Sequence, residues 1–281
     1  MRVGTNPNRK LIVEGYAPIV VSAITHFPST EGYHEHRFDV IRASLETMRR
    51  NAGMDCQVMI WDNGSCSKLK DWLQYEYKPD HLIVSRNVGK SIARASIVNM
   101  LPPDTVVGVA DDDMFYYPDW LKAQVEVLTT YPNVGNVSGW PVRTQFRFHC
   151  DATLDWGKRY AGSVTRGKFI SPQEDKDFCD SIGRDYMGFQ LPYTVNDYDI
   201  KLSYHDVETY ATGHHAQWIG IAGVVSPFLT YTKEAMADER PFEKALNDEG
   251  LLRLTTFKRY TQHIGNVLPE KLEVLWQNEY Q

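Results

Sequence analysis

The first half of the chain alternates short apolar runs with longer segments in which apolar residues recur at helical spacing. Val106–Ala110 is one such run and reads VVGVA. In Phe38–Arg50, by contrast, apolar side chains return every three or four positions, as at Ile41, Leu45 and Met48. A continuous apolar run predicts a buried strand, and the three-to-four spacing predicts an amphipathic helix.

Strands and helices are predicted to alternate throughout this half, which implies a mostly parallel central sheet with helices on both faces. The predicted fold class is therefore α/β and Rossmann-like. The predicted strands are Pro18–Ile24, Cys56–Trp61, His81–Ser85 and Val106–Ala110, and the predicted helices are Phe38–Arg50, Ser67–Tyr77, Ser91–Leu101 and Pro118–Thr130.

The second half of the chain is less regular. Residues 140–217 contain many aromatic and charged side chains and no long periodic run, so this region is predicted to be rich in loops. Helices are expected around Lys233–Ala237, over Asp248–Phe257 and in the tail, Pro269–Gln281. The tail helix would pack its apolar side on the body of the domain or on another subunit, the latter giving a homo-oligomer.

Composition and charge exclude some functions. A chain of 281 residues, 42% of them hydrophobic, can bury a full core. The net charge of −6 argues against nucleic-acid binding over the whole surface, although not against a local basic patch. The polar start resembles no secretion signal, no stretch is long and apolar enough to span a membrane, and the four cysteines are too scattered for a disulfide framework. A cytoplasmic protein is expected, with peripheral membrane contact as the alternative.

Polar side chains follow each predicted strand of the first half. Thr25 and His26 come after the first strand, Asp62 after the second and Asn87 after the third. The fourth strand ends at the acidic triplet Asp111–Asp113. Because ligands of parallel sheets bind at the carboxyl ends of the strands, these side chains are expected to converge on a ligand.

The acidic triplet, Asp111–Asp113, itself suggests a ligand. Three adjacent carboxylates repel one another, so a positive group is expected beside them. A hard divalent cation, held by one or two carboxylates and by substrate phosphates, fits this pattern. The alternative is an acidic turn before the helix at Pro118, since carboxylates favour the positive end of a helix dipole.

Several local motifs share a common order and lie at predicted strand ends. They are Trp61–Ser65 (WDNGS), Asn87–Lys90 (NVGK) followed by Ala93-Arg94, Ala110–Asp113 (ADDD) followed by Pro118–Leu121, and Asn247–Glu249 with the late Gln262–Asn266 (QHIGN). In this order they resemble the inverting, family-2-type glycosyltransferases of the GT-A fold, from about Val20 to Asn266. The resemblance implies a single domain over residues 1–281, with a nucleotide-sugar-binding half at about 16–117 and an acceptor-binding half at about 118–281.

The resemblance also implies a donor substrate, a UDP- or GDP-sugar. The residues expected near its nucleotide are Thr25, His26, Asp62, Asn87, Gly89, Lys90, Arg94, Asp111 and Asp112. Asp62 would accept a hydrogen bond from a ring N–H, which uracil and guanine present. Lys90 and Arg94 lie one helical turn apart, so both could face the diphosphate or the base; a solvent-exposed basic face is the alternative.

A divalent metal, Mn²⁺ or Mg²⁺, is the implied cofactor, because the departing nucleoside diphosphate gains negative charge as the sugar leaves. Alignment through Pro118 makes Asp111 and Asp113 the two Asp-x-Asp positions. Asp113 is then the first metal ligand, and Asp111 would contact the ribose, or the metal through water. The role of Asp112 stays open. His263 is the further ligand and favours Mn²⁺, which accepts mixed oxygen and nitrogen ligands; a loop histidine bonded to backbone is the alternative.

An inverting transfer needs a base to take the proton from the acceptor hydroxyl. Asp248 matches the catalytic aspartate of the family best. The usual Glu-Asp pair reads Asn247-Asp248-Glu249 here, which leaves Glu249 as a competitor. The alternative is that Asp248 only caps a helix.

The acceptor side is expected in residues 140–217. The first part of this region is basic and aromatic, which is typical of a site for an anionic acceptor, although a charge-balanced insertion is the alternative. Trp140, His214 and Trp218 are the acceptor candidates. The acceptor itself stays open among a glycan, a lipid-linked hydroxyl, a nucleic acid and a small molecule.

Three other functions compete with this interpretation. A retaining transferase of the same fold would share the metal motif but would not need a base at Asp248. A nucleotidyltransferase would want a glycine-rich loop after the first strand, which Thr25–Gly32 does not supply. A non-catalytic carbohydrate-binding relative would not need the carboxylates at Asp111, Asp113 and Asp248.

Overall fold

The computed structural model describes residues 18–186, 198–229, 231 and 239–278. The strands are β1 (Ile19–Thr25), β2 (Gln57–Asn63), β3 (His81–Ser85), β4 (Val106–Asp111), β5 (Met114–Tyr116), β6 (Val134–Ser138), β7 (Ser163–Gly167), β8 (Asp199–Tyr204), β9 (Val207–Tyr210), β10 (Gln217–Ile221), β11 (Leu252–Thr256) and β12 (Thr261–His263). The helices are α1 (Arg37–Arg50), α2 (Ser67–Trp72), α3 (Lys90–Met100), α4 (Trp120–Thr130), α5 (Asp151–Tyr160), α6 (Pro172–Ser181), α7 (Ala222–Val225), α8 (Arg240–Asp248) and α9 (Glu270–Asn278).

The central sheet of the described residues has ten strands in the order β3-β2-β1-β4-β10-β6-β11-β9-β8-β7. Strands β3, β2, β1 and β4 are parallel neighbours, with Thr25 opposite Asp62 and Ile24 opposite Asp111. Their ends therefore meet at one edge of the sheet. We call this the carboxyl edge, and it is marked by Thr25, Asn63, Ser85 and Asp111.

The remaining strands extend this sheet beyond β4. Strand β10 is antiparallel to both β4 and β6, and β11 is parallel to β6. Across the sheet, the neighbouring strands β3, β2, β1, β4, β6 and β11 therefore all run in one direction, and only β10 between them runs in the other. This confirms the predicted mostly parallel sheet. Because β11 runs in the direction of β4, it begins at the edge opposite the carboxyl edge.

Apolar side chains cover both faces of the sheet, as predicted. On the first face Val21 of β1 packs in one cluster with Ile41 of α1. On the second face Val20 packs with Ile97 of α3 and Leu246 of α8. Successive residues of β1 thus serve opposite faces, which is how a strand buried on both sides behaves.

Residues 140–217 hold more regular structure than predicted. They contain helices α5 and α6 and strands β7, β8 and β9. Helix α6 begins at a capping box, in which Ser171 and Glu174 exchange side-chain-to-backbone hydrogen bonds, with Pro172 in the first turn. This Ser-Pro-x-Glu pattern marks a helix start that hydrophobic periodicity does not register.

The predicted helix Asp248–Phe257 is wrong. Asp248 ends α8 rather than beginning a helix, and Gly250 follows with φ +79°, a conformation that suits glycine after a helix. The next residues form β11, in which Leu252 and Leu254 alternate into the first-face core. Alternation with a period of two is the strand signal. The helix expected around Lys233–Ala237 lies outside the described residues.

The tail forms α9, which packs on the body of the same chain. Leu272 and Trp276 are buried in a cluster with Val40 and Ala43 of α1. Residues 279–281 lie outside the residues that the structure describes. Among the described helices, none combines the length and apolar character needed to cross a bilayer.

Candidate active site

The carboxyl edge opens into a cavity of about 380 Å³, the first cavity. Its lining includes His26, Asn63, Asn87 and Lys90, together with the whole acidic triplet, Asp111–Asp113. The sequence predicted that most of these residues would converge, and the parallel register of β1, β2 and β4 brings them together.

The loops after β2 and β3 are tied to each other at this cavity. The side-chain amide of Asn63 donates to Asn87 at 3.2 Å, and the oxygen of Asn87 also accepts from the Gly89 amide at 2.9 Å. A Cβ at Gly64 would lie 2.7 Å from the backbone nitrogen of Asn87, and Gly64 has φ +87°. The glycine of the WDNGS motif therefore permits this close approach.

Thr25 and Asp62 do not line the first cavity. Both are fully buried, and the Thr25 hydroxyl donates to Asp62 at 3.4 Å. Asp62 also accepts from the Ser65 amide at 3.3 Å, so it closes the turn after β2. The neighbouring residue, Asn63, is the one that reaches the cavity from this strand.

Asp111 faces the start of α3. Its carboxylate lies 2.6 Å from the Lys90 ammonium and 3.5 Å from the Arg94 guanidinium. Arg94 is 2% exposed, which excludes the alternative of a solvated basic face for this residue. Arg94 also forms an ion pair with Glu239, which precedes α8. Asp111 therefore lies between two cations, one of which also pairs with Glu239.

Asp112, whose role the sequence left open, lines the first cavity, but both of its carboxylate oxygens already have partners. One oxygen pairs with Arg37, and the other accepts from the His26 amide at 3.0 Å. Burial raises the pKa of Asp112, while Arg37 opposes that rise.

Asp113 lies between Arg37 and His263, at 3.2 Å and 3.5 Å respectively. Pairing of β12 with β5 sets His263 opposite Met114, and the Ile264 amide donates to the Asp113 carbonyl at 2.7 Å. Burial would raise the pKa of Asp113, but His263 and Arg37 hold it well below its usual range. Burial would likewise lower the pKa of His263, and Asp113 raises it.

The donor atoms around Asp113 fit a divalent cation. Oδ1 of Asp113 is buried without a hydrogen-bond partner, and Nε2 of His263 faces the other carboxylate oxygen at 3.5 Å. Within the described ranges no cluster of three or more protein ligands is preassembled. A carboxylate and an imidazole, completed by substrate phosphates and water, match the way Mg²⁺-type ions bind and suit Mn²⁺.

Asp248 and Glu249 are not brought to this site. Helix α8 is nine residues long, so its ends lie about 12 Å apart at about 1.5 Å per residue. Glu239 caps the end beside Arg94, whereas Asp248 lies at the far end, exposed and paired with Lys244. Glu249 is also exposed there. The expected base therefore lies toward the edge of the sheet opposite the carboxyl edge.

The acceptor candidates are buried rather than open to an acceptor. Trp218 is fully buried and stacks on Phe242 in the second-face core. Trp140 is 1% exposed, and its ring lies parallel to that of His263 with 6.4 Å between centroids. His214 is buried beside Trp140, and burial holds its pKa well below the usual range. Trp140 thus supports His263, and none of the three presents a free surface.

Two residues of this site were missed by the sequence analysis, Arg37 and Glu239. Arg37 is the first residue of α1, where a cation is unfavourable because the N-terminal end of a helix dipole is positive. This unfavourable position indicates that the residue is placed there by a contact outside the helix. Glu239 precedes Arg240-Pro241, and proline in the first turn marks a helix start.

A larger cavity of about 780 Å³, the second cavity, adjoins the first. Tyr33, Asp111 and Asp113 line both cavities. The other walls of the second cavity come from the end of α6, the loop after β12 and the start of α9. The two aspartates thus lie where two binding spaces meet.

The carboxyl edge of this α/β sheet thus carries an acidic turn between two cavities. The model of the family described as Glycosyl transferase family 2 matches residues 33–182, more than half of the chain. The chain therefore belongs to glycosyl transferase family 2. The expected family, its α/β GT-A fold class and the enzyme class of glycosyltransferase are confirmed.

Two solved structures are similar to parts of the chain. A mannosyltransferase, PcManGT from Pyrobaculum calidifontis in complex with GDP-Man and Mn²⁺, is 16% identical over 49% of this chain and 41% of that chain, with a TM-score of 0.35. GalNAc-T7 with UDP, GalNAc and Mn²⁺ is 11% identical over 87% of this chain and 43% of that chain, with a TM-score of 0.48. The matches span less than half the length of either protein. No curated protein matches the chain.

Proposed function

We propose that this chain transfers a sugar from a UDP- or GDP-sugar to an acceptor hydroxyl, with a divalent metal and with inversion. One observation carries the proposal. Asp113 and His263 meet where the two cavities join, next to Asp111 and its two cations. Such a junction suits a reaction in which a donor and an acceptor meet at one anomeric carbon.

The first cavity is the proposed donor site. Asn63 and Asn87 supply amide groups for the polar edge of a base, and His26 lies beside them, held at 3.0 Å from the Asn63 carbonyl. Lys90 supplies a cation for the diphosphate. Uracil and guanine both present carbonyl oxygens that can accept from such amide nitrogens, so UDP- and GDP-sugars are both candidates.

Asp113 and His263 are the proposed ligands of the metal, with Mn²⁺ favoured by the imidazole. When bound, the cation supplies Lewis-acid stabilisation of the leaving diphosphate. Lys90 and Arg94 add positive charge on the Asp111 side, where the same negative charge develops. Asp111 holds these two cations in position.

Glu239 is the proposed proton acceptor, in place of Asp248. It lies at the carboxyl edge because Arg94 joins it to Asp111. One oxygen of Glu239 is buried without a hydrogen-bond partner. A carboxylate held in place on one side and unpaired on the other can take a proton from an attacking hydroxyl.

The second cavity is the proposed acceptor site. It offers the amide side chains of Gln262 and Asn266 and the apolar side chains of Ile182 and Leu272. Amides beside apolar walls suit the hydroxyls and the ring faces of a saccharide. The acceptor, the oligomeric state and the cytoplasmic location stay predictions.

The test is a panel of UDP- and GDP-sugars incubated with Mn²⁺ and simple saccharide acceptors. We expect one donor to be consumed in a Mn²⁺-dependent manner, and the product to have the anomeric configuration opposite to that of the donor. Retention of configuration would favour the retaining alternative and remove the need for a base at Glu239. Binding of saccharides without consumption of any donor would favour the non-catalytic alternative.

A further inference from the structure

We propose that Arg37 is a resident counter-cation of the acidic triplet, anchored by Asp112, and that its charge weakens the binding of a divalent cation at Asp113. The inference rests on the metal site proposed above. Its basis is the position of one guanidinium group, which pairs with Asp112 and lies 3.2 Å from Asp113 and 3.0 Å from the side-chain oxygen of Asn266. Three separate segments meet at this group.

Local helix structure does not explain the placement of Arg37. The residue begins α1, where the unpaired amides already make the helix end positive. It is also 8% exposed, so its charge is largely removed from water. A buried cation is tolerated only where anionic partners compensate it, and here they are Asp112 and Asp113. Arg37 is therefore placed for the acidic triplet.

The two aspartates that Arg37 contacts differ in whether a carboxylate oxygen is still without a partner. Both oxygens of Asp112 already have partners, Arg37 and the His26 amide. Asp113 shares one oxygen between Arg37 and His263, and its other oxygen has no partner. Asp112 is thus the anchor, and Asp113 is the carboxylate that remains available for a metal ion.

A metal ion at Asp113 would lie close to the fixed positive charge of Arg37. Like charges at such a distance in a partly buried site repel each other strongly. The cation should therefore bind weakly to the protein by itself and more tightly once a nucleoside diphosphate adds negative charge. Removal of the Arg37 charge should make the binding of the cation less dependent on the nucleoside diphosphate.

The experiment measures Mn²⁺ binding without nucleotide, by the electron paramagnetic resonance signal of free Mn²⁺. Arg37→Gln removes the charge, Arg37→Lys keeps it, and Arg42→Gln removes a charge from the same helix at a site where the partners are Asp39 and Glu46. We expect Arg37→Gln to bind Mn²⁺ about tenfold more tightly than the wild type, because a nearby positive charge is gone. Arg37→Lys and Arg42→Gln should stay within about threefold of the wild type.

Arg37→Gln alone can unfold the protein, because removal of one partner of a buried ion pair is strongly destabilising. A second variant therefore removes both partners of the pair. Arg37→Gln/Asp112→Asn removes both partners and should also bind Mn²⁺ more tightly than Asp112→Asn, the variant that keeps Arg37. Thermal unfolding in EDTA checks that each variant is folded. If the double variant binds no better than Asp112→Asn, or if Arg37→Gln binds no better than the wild type, the inference is overturned.

The outcomes separate this inference from the proposed function. If the wild type binds Mn²⁺ in the presence of UDP or GDP but Arg37→Gln shows no gain, only the role of Arg37 is refuted. If neither the wild type nor any variant binds Mn²⁺ with or without nucleotide, the metal requirement of the proposed function fails, and the inference falls with it.

Discussion

The Nε2 atom of His263 lies 3.5 Å from Oδ2 of Asp113, although the two residues belong to distant parts of the chain. Pairing of β12 with β5 brings them together, and the ring of Trp140 lies parallel to the imidazole with 6.4 Å between centroids. An acidic turn after a strand can simply lead into a helix. An acidic turn that meets a half-buried imidazole in this way has the donor atoms of a metal site.

Asp113→Asn should lower transfer activity by about 100-fold or more, because the stabilisation of the leaving diphosphate would be lost. The measurement is the initial rate of donor consumption at saturating Mn²⁺. Asp104→Asn is the matched control, since Asp104 is exposed before β4, at the opposite edge of the sheet. Equal rates for Asp113→Asn and the wild type would remove Asp113 from the metal site.

Glu239→Gln and Asp248→Asn test which end of α8 carries the base. Glu239→Gln should reduce kcat by about 10²–10⁴-fold, the usual contribution of a general base, while nucleotide affinity stays within about threefold. Asp248→Asn should keep full activity, because Asp248 is exposed at the other end of the helix. Full activity of Glu239→Gln together with an inactive Asp248→Asn would restore the prediction made from the sequence.

Trp218→Leu should destabilise the fold without affecting acceptor binding. The ring is fully buried against Phe242, so its truncation should cost about 2–3 kcal/mol of unfolding free energy. Denaturant unfolding measures this loss, and acceptor KM below the unfolding transition should stay within about twofold of the wild type. A tenfold rise in KM at unchanged stability would instead make Trp218 an acceptor contact.

Asp175 should make stability depend on pH. Burial raises its pKa to about 6, although Arg143 opposes the rise. The pKa of Asp175 is therefore higher in the folded protein than in the unfolded chain, so the folded protein binds this proton more tightly. The free energy of unfolding is then highest below about pH 4, and the contribution of Asp175 is lost as pH rises through about 6.

Asp175→Asn should remove this dependence. Relative to the wild type, the variant should gain about 2–3 kcal/mol of unfolding free energy between pH 4 and pH 7, as measured by denaturant unfolding at each pH. Asp104→Asn, at an exposed position, should show no such change. A constant difference between Asp175→Asn and the wild type across this pH range would show that Asp175 titrates normally.

The sheet and the convergence of the strand ends were predictable because their signals are local. Val106–Ala110 is apolar until the acidic triplet begins, and such an abrupt change shows where a buried strand reaches the carboxyl edge. The WDNGS turn was likewise readable, since Gly64 has to adopt a positive φ beside Asn87. Short-range chemistry determined both features.

The rest of the site depends on contacts that sequence spacing does not reveal. Asp248 is predicted as the base by its match to the catalytic aspartate of the family, but a local motif does not show which end of a helix faces the site, and Asp248 lies at the end of α8 far from Arg94. Trp218 and Trp140 looked like ligand contacts because aromatic rings suit both sugars and cores, and only packing distinguishes the two.

Isothermal titration of UDP and GDP into the wild type and Asp113→Asn, with and without Mn²⁺, tests whether the acidic triplet forms a metal-dependent nucleotide site. We expect Mn²⁺ to raise the affinity of the wild type for one of the two nucleotides about tenfold or more, because the two ligands share a site, and we expect Asp113→Asn to lose this gain. Nucleotide binding that is independent of Mn²⁺ in the wild type, or a gain that survives in Asp113→Asn, would contradict a metal-dependent nucleotide site at the acidic triplet.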